Sequence, residues 1–303
     1  MKPHSNYAEI ILKNWGLRPL GDIDLTRFVT VMSTRKSRYV VRLMYADQAY
    51  AVARLLLAAG HSTIARRVPS IIPTLNGEFT VPADRKRRLI VCTFLFGSTP
   101  VEPTVKVANQ LGALLARLHQ VSPAVTDEQT PTGRDLASAS WFQAMRTAAA
   151  DHRATEIERD LTSKAIDTVK AIGSTYSSLQ RILIHGDITT RNLTYNENGV
   201  GIFDFGGVIS APRLLDVQGA LANIAGLAGA LQPSLADSLI EGYSEVWPLP
   251  ETEQALLKVA MVGDLARIMA WIRQSGSSRT REWIRTEKTY RLRLLQGLLS
   301  DFD

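Results

Sequence analysis

The segment His185-Gly186-Asp187-Ile188-Thr189-Thr190-Arg191-Asn192, followed twelve residues later by Asp204-Phe205-Gly206, carries the densest chemistry in the chain. Two short β-type runs, Ile182-Leu183-Ile184 and Gly201-Ile202-Phe203, flank it, so it reads as strand, polar loop, strand. Asp187 opens the loop, Asn192 closes it, and Asp204 follows the second run. A carboxylate with an amide oxygen suits Mg²⁺, which keeps several waters and takes few protein ligands. A further carboxylate, off the metal, can orient a hydroxyl and accept its proton. Phosphoryl transfer uses this inventory: one orienting Asp, and an Asn and an Asp that hold magnesium against a triphosphate. Other chemistries lack their signatures. There is no G-x-x-x-x-G-K-[ST] loop, no G-x-G-x-x-G and no G-x-S-x-G elbow. The five histidines show no paired metal-ligand spacing, and the single Cys92 excludes an internal disulfide or a thiolate cluster.

The elements that must position these residues fall into two kinds. Before about residue 100 the chain is strand-rich. Arg27 to Met32 and Tyr39 to Met44 are β-type runs joined by the polar STRKS turn, Ser33 to Ser37. Asp47 to Ala59 reads as a helix that Gly60 would stop. Thr74–Gly77 and Asp84–Arg88 read as turns, and Leu89 to Phe96 as a strand buried on both faces. After Gly97 the pattern is helical. Apolar residues at 107, 111, 114, 115 and 118 place one face on a helix from Thr104 to His119. A linker from Ser122 to Gly133 follows, then helices over Trp141 to Ala150 and Ile157 to Ile172, the latter ending at Gly173. Beyond Asp216 nearly everything reads as helix, interrupted at Pro248 and Pro250 and at Ser275–Ser278.

HGD-x₄-N followed by IFDFGG resembles the aminoglycoside phosphotransferase, choline kinase and homoserine kinase superfamily, small-molecule relatives of the protein kinases. LGALLARLH, Leu111 to His119, is similar to the LG-x₂-LA-x-LH helix these proteins place before the catalytic loop. TFLFG, Thr93 to Gly97, resembles their hinge between lobes, so the resemblance runs from about residue 20 to 220. It implies an α+β, two-lobed protein-kinase-like fold. Residues 1–97 would form a small β-rich nucleotide-binding lobe, and 98–303 a larger, mainly helical lobe with the catalytic loop and acceptor site. It implies ATP and Mg²⁺ as cofactors and a small-molecule hydroxyl as acceptor. Asp187 would be the catalytic Asp, Asn192 and Asp204 the magnesium ligands, and His185 a loop organiser. Backbone groups of Thr93 and Leu95 would meet the adenine edge. Arg42 stands where the family carries a phosphate-positioning Lys. The chain departs from the pattern in three places: Arg42 is not Lys, Ala49 to Gly60 contains no acidic partner for it, and the early hairpin lacks a glycine-rich loop. A forked guanidinium does not simply replace an ammonium.

The 303 residues carry a formal charge of +6, with 45% hydrophobic and 21% charged residues, an ordinary globular composition. No apolar run is long enough for a membrane span. The opening MKPHSNYAEI has no apolar core, so no secretory leader is expected and a cytoplasmic location is. Residues 1–100 hold 15 basic against 6 acidic side chains, a field that attracts polyanions. A triphosphate is the favoured polyanion and nucleic acid the least favoured, with a catalytically inactive nucleotide-binding module between them. Several features have plainer readings. His119 suits a helix C-terminus, Asp216 an N-cap, Cys92 a buried apolar site, and Arg85 to Arg88 a solvated hairpin tip. Arg42, in an apolar strand, needs a partner or a phosphate. The acceptor side is expected in residues 207–303, where Arg267 and Arg273 could hold a carboxylate or phosphate. Residues 207–303 are close to neutral, which does not favour a polycationic acceptor. An amino acid, amino alcohol, amino sugar or nucleoside hydroxyl remains open.

Overall fold

A computed structural model of the chain describes residues 7–25, 28–99, 101–124, 136, 138–227, 229–274 and 281–300. Arg27, most of the 122–133 linker and the break at Ser275–Ser278 lie outside the described residues. The first part begins with helix α1 (Tyr7–Trp15), then strands β1 (Val29–Ser33) and β2 (Arg38–Tyr45), helix α2 (Ala46–Gly60), and strands β3 (Val81–Pro82) and β4 (Arg87–Thr93). The strands form one antiparallel sheet in the order β1-β2-β4-β3. The STRKS hairpin forms as expected, with Val29 opposite Arg42 and Ser33 opposite Arg38.

Alternation along β4 divides the apolar core. Leu89 and Val91 join Ile11, Trp15, Val41 and Leu43 on the α1 side. Ile90 and Cys92 point the other way, into the core built on α2 and the helical part. The strand is therefore apolar throughout because both its faces are covered. It ends at Thr93, short of the expected Phe96. Phe94 and Phe96 turn out to stack on the Arg38 guanidinium, 4.4 and 4.7 Å from their ring centroids.

The second part holds α3 (Val105–Val121), α4 (Ala139–Ala149) and α5 (Glu156–Ser177). Short strands β5 (Arg181–Ile184), β6 (Leu193–Asn196), β7 (Gly199–Ile202) and β8 (Ile209–Pro212) follow, and then α6 (Leu214–Ala220). A two-residue pair, β9 (Gly226–Leu227) and β10 (Ala230–Leu231), precedes α7 (Pro233–Ser244), α8 (Glu251–Gln274) and α9 (Arg281–Leu299). Thr104, Ser138 and Thr155 cap α3, α4 and α5 through their side-chain oxygens. Thr155 and Glu158 complete a capping box, and Lys288 of α9 lies 2.6 Å from the Glu158 carboxylate. Helix α2 stops at Gly60 as expected, with His61 as the capping residue, but α5 runs through Gly173 to Ser177, because buried Tyr176 anchors its last turn. Among the described residues, no helix is long and apolar enough to cross a membrane.

Helices α3 and α7 cross with their backbones almost touching. A Cβ on Gly112 would overlap the Leu239 carbonyl oxygen, and one on Gly242 would overlap that of Asn109. The approach brings Tyr243 of α7 within 2.9 Å of His119 of α3. Gly112→Ala is therefore expected to cost about 3 kcal/mol, since backbone cannot swing aside. Gly173→Ala, with nothing within 4 Å of the new Cβ, should gain roughly 0.5–1 kcal/mol. Urea unfolding of the two variants checks both signs.

Candidate active site

The site is built outward from a buried carboxylate. Asp216, in the first turn of α6 and 1% exposed, does not cap its own helix as the sequence suggests; Arg213 holds that position. Its Oδ1 accepts from the Gly186 amide at 2.7 Å and its Oδ2 from the His185 amide at 2.8 Å. Oδ2 also meets His119 Nε2 at 3.0 Å, and His119 Nδ1 meets the Tyr243 hydroxyl. His119 thus links α3 and α7 to the loop instead of merely decorating a helix end. Burial raises the Asp216 pKa, but the His119 hydrogen bond and charge hold it below the usual carboxylate value.

The His185 side chain fastens the loop's other side. Its Nδ1 accepts from the Asp187 amide at 3.2 Å, and its Nε2 lies 3.0 Å from the Phe203 carbonyl. The ring meets Phe205 edge-on, with centroids 4.7 Å apart. Gly186 turns the chain at φ +75, where a Cβ would overlap the Gly207 carbonyl oxygen. Asp187 emerges exposed. The Asn192 amide donates to the Asp187 carbonyl at 2.9 Å and to its Oδ2 at 3.0 Å, turning the Asn192 Oδ1 away from Asp187.

The β6–β7 hairpin then returns the chain, with the Phe203 amide donating to the Asn192 carbonyl at 2.9 Å. The two runs that flank the loop do not pair with each other. β5 pairs β8, and β7 pairs β6, so the loop lies between two small sheets. Asp204 sits in the left-handed region, φ 64 and ψ 59, and accepts from the Gly206 amide at 3.3 Å. Arg42, on β2 across the cleft, lies 2.7 Å from Asp204 Oδ1. Burial raises the Asp204 pKa; the Arg42 charge and hydrogen bond outweigh it and hold the carboxyl low.

Two cavities flank this segment. The first, about 290 Å³, is lined by Arg42, Thr93, Leu95 and Asp204 under the apolar Val29, Val31 and Phe203. The second, about 470 Å³, contains Asp187 and Asn192. The six residues singled out from the sequence therefore gather on the two sides of one short segment. Three carboxylates (Asp187, Asp216 and Asp264) and three guanidiniums (Arg191, Arg267 and Arg291) line the second cavity. Arg267 is at this wall, its Nε 2.8 Å from Asp264, whereas Arg273 does not line it. Buried Asp264 is held below the usual carboxylate value, burial being outweighed by the Arg267 charge.

Sequence reasoning missed Arg291 and Asn223. Arg291 of α9 donates to the Asn223 side chain at 2.8 Å, and Asn223 holds the Ile188 carbonyl at 2.9 Å. Asn223 lies in a π-helical turn, Leu221–Ala225, a distortion that is frequent at functional sites. An Asn in an apolar helical run was the available signal.

The phosphotransferase enzyme family model matches residues 19–257. The chain belongs to that family. A homoserine kinase of Hyphomonas neptunium is 26% identical over 252 residues, 78% of this chain and 74% of that protein. One from Cupriavidus taiwanensis is 29% identical over 202 residues, 62% of this chain and 58% of that protein. Among solved structures, a microcompartment-associated aminopropanol kinase superposes with a TM-score of 0.70 at 20% identity, covering 97% of both chains. An amicoumacin kinase in complex with AMP-PNP, Ca²⁺ and its ligand gives 0.69 at 13% identity, over 99% of this chain and 94% of that one. These two likenesses are of fold: mixed α+β, protein-kinase-like. The protein is a phosphotransferase that acts on a hydroxyl group.

Asp216 supplies a pH test. Its folded pKa is depressed, so its stabilisation is present above the unfolded value, about 3.9, and is lost as pH falls through the folded one. Asp216→Asn should lose about 3 kcal/mol at neutral pH. That gap should close as the pH drops below about 4. Urea unfolding across pH measures it, and a pH-independent gap would count against the buried carboxylate as its source.

Proposed function

We propose that the chain moves the γ-phosphoryl group of ATP to a hydroxyl of a small acceptor that carries both positive and negative groups. The observation that carries this reading is Asp187, exposed at the mouth of a cavity lined by equal numbers of carboxylates and guanidiniums. Balanced walls complement a zwitterion such as an amino acid; a polycation would meet three arginines. The lining of the first cavity supports a nucleotide. Its apolar walls suit a purine, and the excess positive charge of residues 1–100 draws the triphosphate. Gly97 closes the nucleotide-binding lobe at residues 1–97, and 98–303 form the catalytic lobe.

Thr93 and Leu95 would meet the purine edge. The Thr93 amide already donates to the Ser70 carbonyl at 2.9 Å, so its carbonyl is the group offered there. Asn192 and Asp204 fit a magnesium ion by their donor chemistry, one amide oxygen and one carboxylate. Bound there, the ion would neutralise phosphate charge. Asp187 orients the acceptor hydroxyl and accepts its proton as the oxygen attacks. His185 and Asn192 hold Asp187 in place, and Asp216 holds the backbone beneath it. Arg42 lines the same cavity beside Asp204, and it would be free to meet the phosphates if a bound ion neutralised that carboxylate.

Asp187→Asn should lower kcat by about 10²–10⁴ and leave nucleotide binding intact. Acceptor-dependent ADP release, screened over amino acids, amino alcohols, amino sugars and nucleosides, provides the assay. Near-normal turnover in the variant would remove Asp187 from the chemistry. Magnesium-dependent ATP binding with no turnover on any acceptor would point to an inactive nucleotide-binding module.

A further inference from the structure

The sequence poses a specific problem: Arg42 has no acidic partner in the helix that follows it. The structure answers with Gln48, in the first turn of α2. Its Nε2 donates to the Val208 carbonyl at 2.6 Å and reaches the Gly206 carbonyl at 3.4 Å. Both carbonyls belong to the segment that begins with Asp204. A primary amide has two N–H groups, so one Gln can serve both acceptors. A carboxylate has only acceptor oxygens and would face two carbonyls with nothing to donate. The neutral amide is thus the side chain this geometry requires.

Asp47, the acidic residue in the first turn of α2, lines a different cavity, and Arg42 reaches Asp204 directly. Gly206 makes the room, because a Cβ there would lie 2.6 Å from Arg42 Nη2. Two residues of the strand-rich part therefore grip the same five-residue stretch. Arg42 takes the Asp204 side chain, and Gln48 takes the backbone that follows it.

We infer that Gln48 is a positioning residue for Asp204. Its hydrogen bonds to residues 206 and 208 set the seat of α2 on the Asp204–Val208 segment, and through that backbone the direction of the Asp204 carboxylate. It replaces an ion pair with a backbone clamp, leaving Arg42 free to exchange Asp204 for phosphate. This rests on the proposed role of Asp204 toward magnesium and nucleotide.

The test compares full-length wild type with Gln48→Met, which keeps the length and removes the donors, and Gln48→Glu, which reverses donor to acceptor. Thermal stabilisation by ATP is titrated with magnesium, and stabilisation by adenosine without metal is recorded alongside. Losing these two hydrogen bonds should raise the magnesium concentration needed for half-maximal effect roughly tenfold, about 1.4 kcal/mol, in both variants. Adenosine stabilisation should change less than about twofold, and ligand-free melting should drop by no more than about 4 °C. In turnover the loss should fall on the magnesium requirement, with the acceptor KM unchanged. A wild-type magnesium requirement in both variants overturns the inference. So does an equal weakening of adenosine and of magnesium–ATP, which would make Gln48 a packing contact. A wild type that shows no magnesium-dependent stabilisation by ATP refutes the proposed function itself, and the inference with it.

Discussion

One buried carboxylate supports the whole site. Asp216 accepts the two amides that begin the catalytic loop and also meets His119. Those amides follow the end of strand β5, and leaving a buried amide unpaired costs about as much as losing a hydrogen bond outright. A charged acceptor strengthens both bonds. It is tolerable at 1% exposure only because His119 stands against it. His119 in turn depends on the close crossing of α3 and α7, which places Tyr243 at its other nitrogen. The glycine and the histidine of LGALLARLH thus serve one end. The first lets the helices approach, and the second delivers that approach to the loop.

Electrostatics separates the two sides of the segment. In the first cavity the pair Arg42 and Asp204 bridges the cleft. Each member neutralises the other across the cleft, and under the proposed function each would exchange that partner for one supplied by the nucleotide complex. On the acceptor side the charges are held in fixed combinations, Asp264 with Arg267, Asp216 with His119, and Arg291 with Asn223. Preorganised charges of both signs cost little to rearrange when an acceptor binds. They can recognise a molecule by the placement of its charges instead of by its net charge.

Much of this was legible in the sequence where the relevant contacts are local. The strand–loop–strand spacing located Asp187, Asn192 and Asp204. Alternation and apolar runs located β2 and β4, and the apolar spacing from 107 to 118 located α3. The partners of those elements were less legible, because pairing is set by residues far apart in sequence. Nothing in Ile182 to Ile184 says that the strand pairs with Ile209–Pro212 instead of the run ending at Phe203. Gly173 looked like a stop because glycine costs a helix about 1 kcal/mol. Buried Tyr176, beyond it, outweighs that cost. Asp216 looked like a cap because a helix start with an Asp usually has one, and its true partners lie thirty residues earlier.

Gln48 and Arg291 were invisible for a further reason. A sequence motif registers a residue by its type, and the chemistry expected in the helix after Arg42 was negative charge. The structure meets the same need, fastening α2 to the Asp204 segment, with hydrogen bonds to carbonyls. Backbone carbonyls exist at every position and leave no mark in the sequence, so a side chain that binds them has no recognisable counterpart. Arg291 lies in a run of basic residues where any member could have turned inward. Only the packing of α9 on the π turn at Asn223 singles it out. The lack of a helix carboxylate on Arg42 therefore does not by itself indicate a dead enzyme: α2 is fastened to the Asp204 segment by the Gln48 hydrogen bonds, and Asp187, Asn192 and Asp204 are all present.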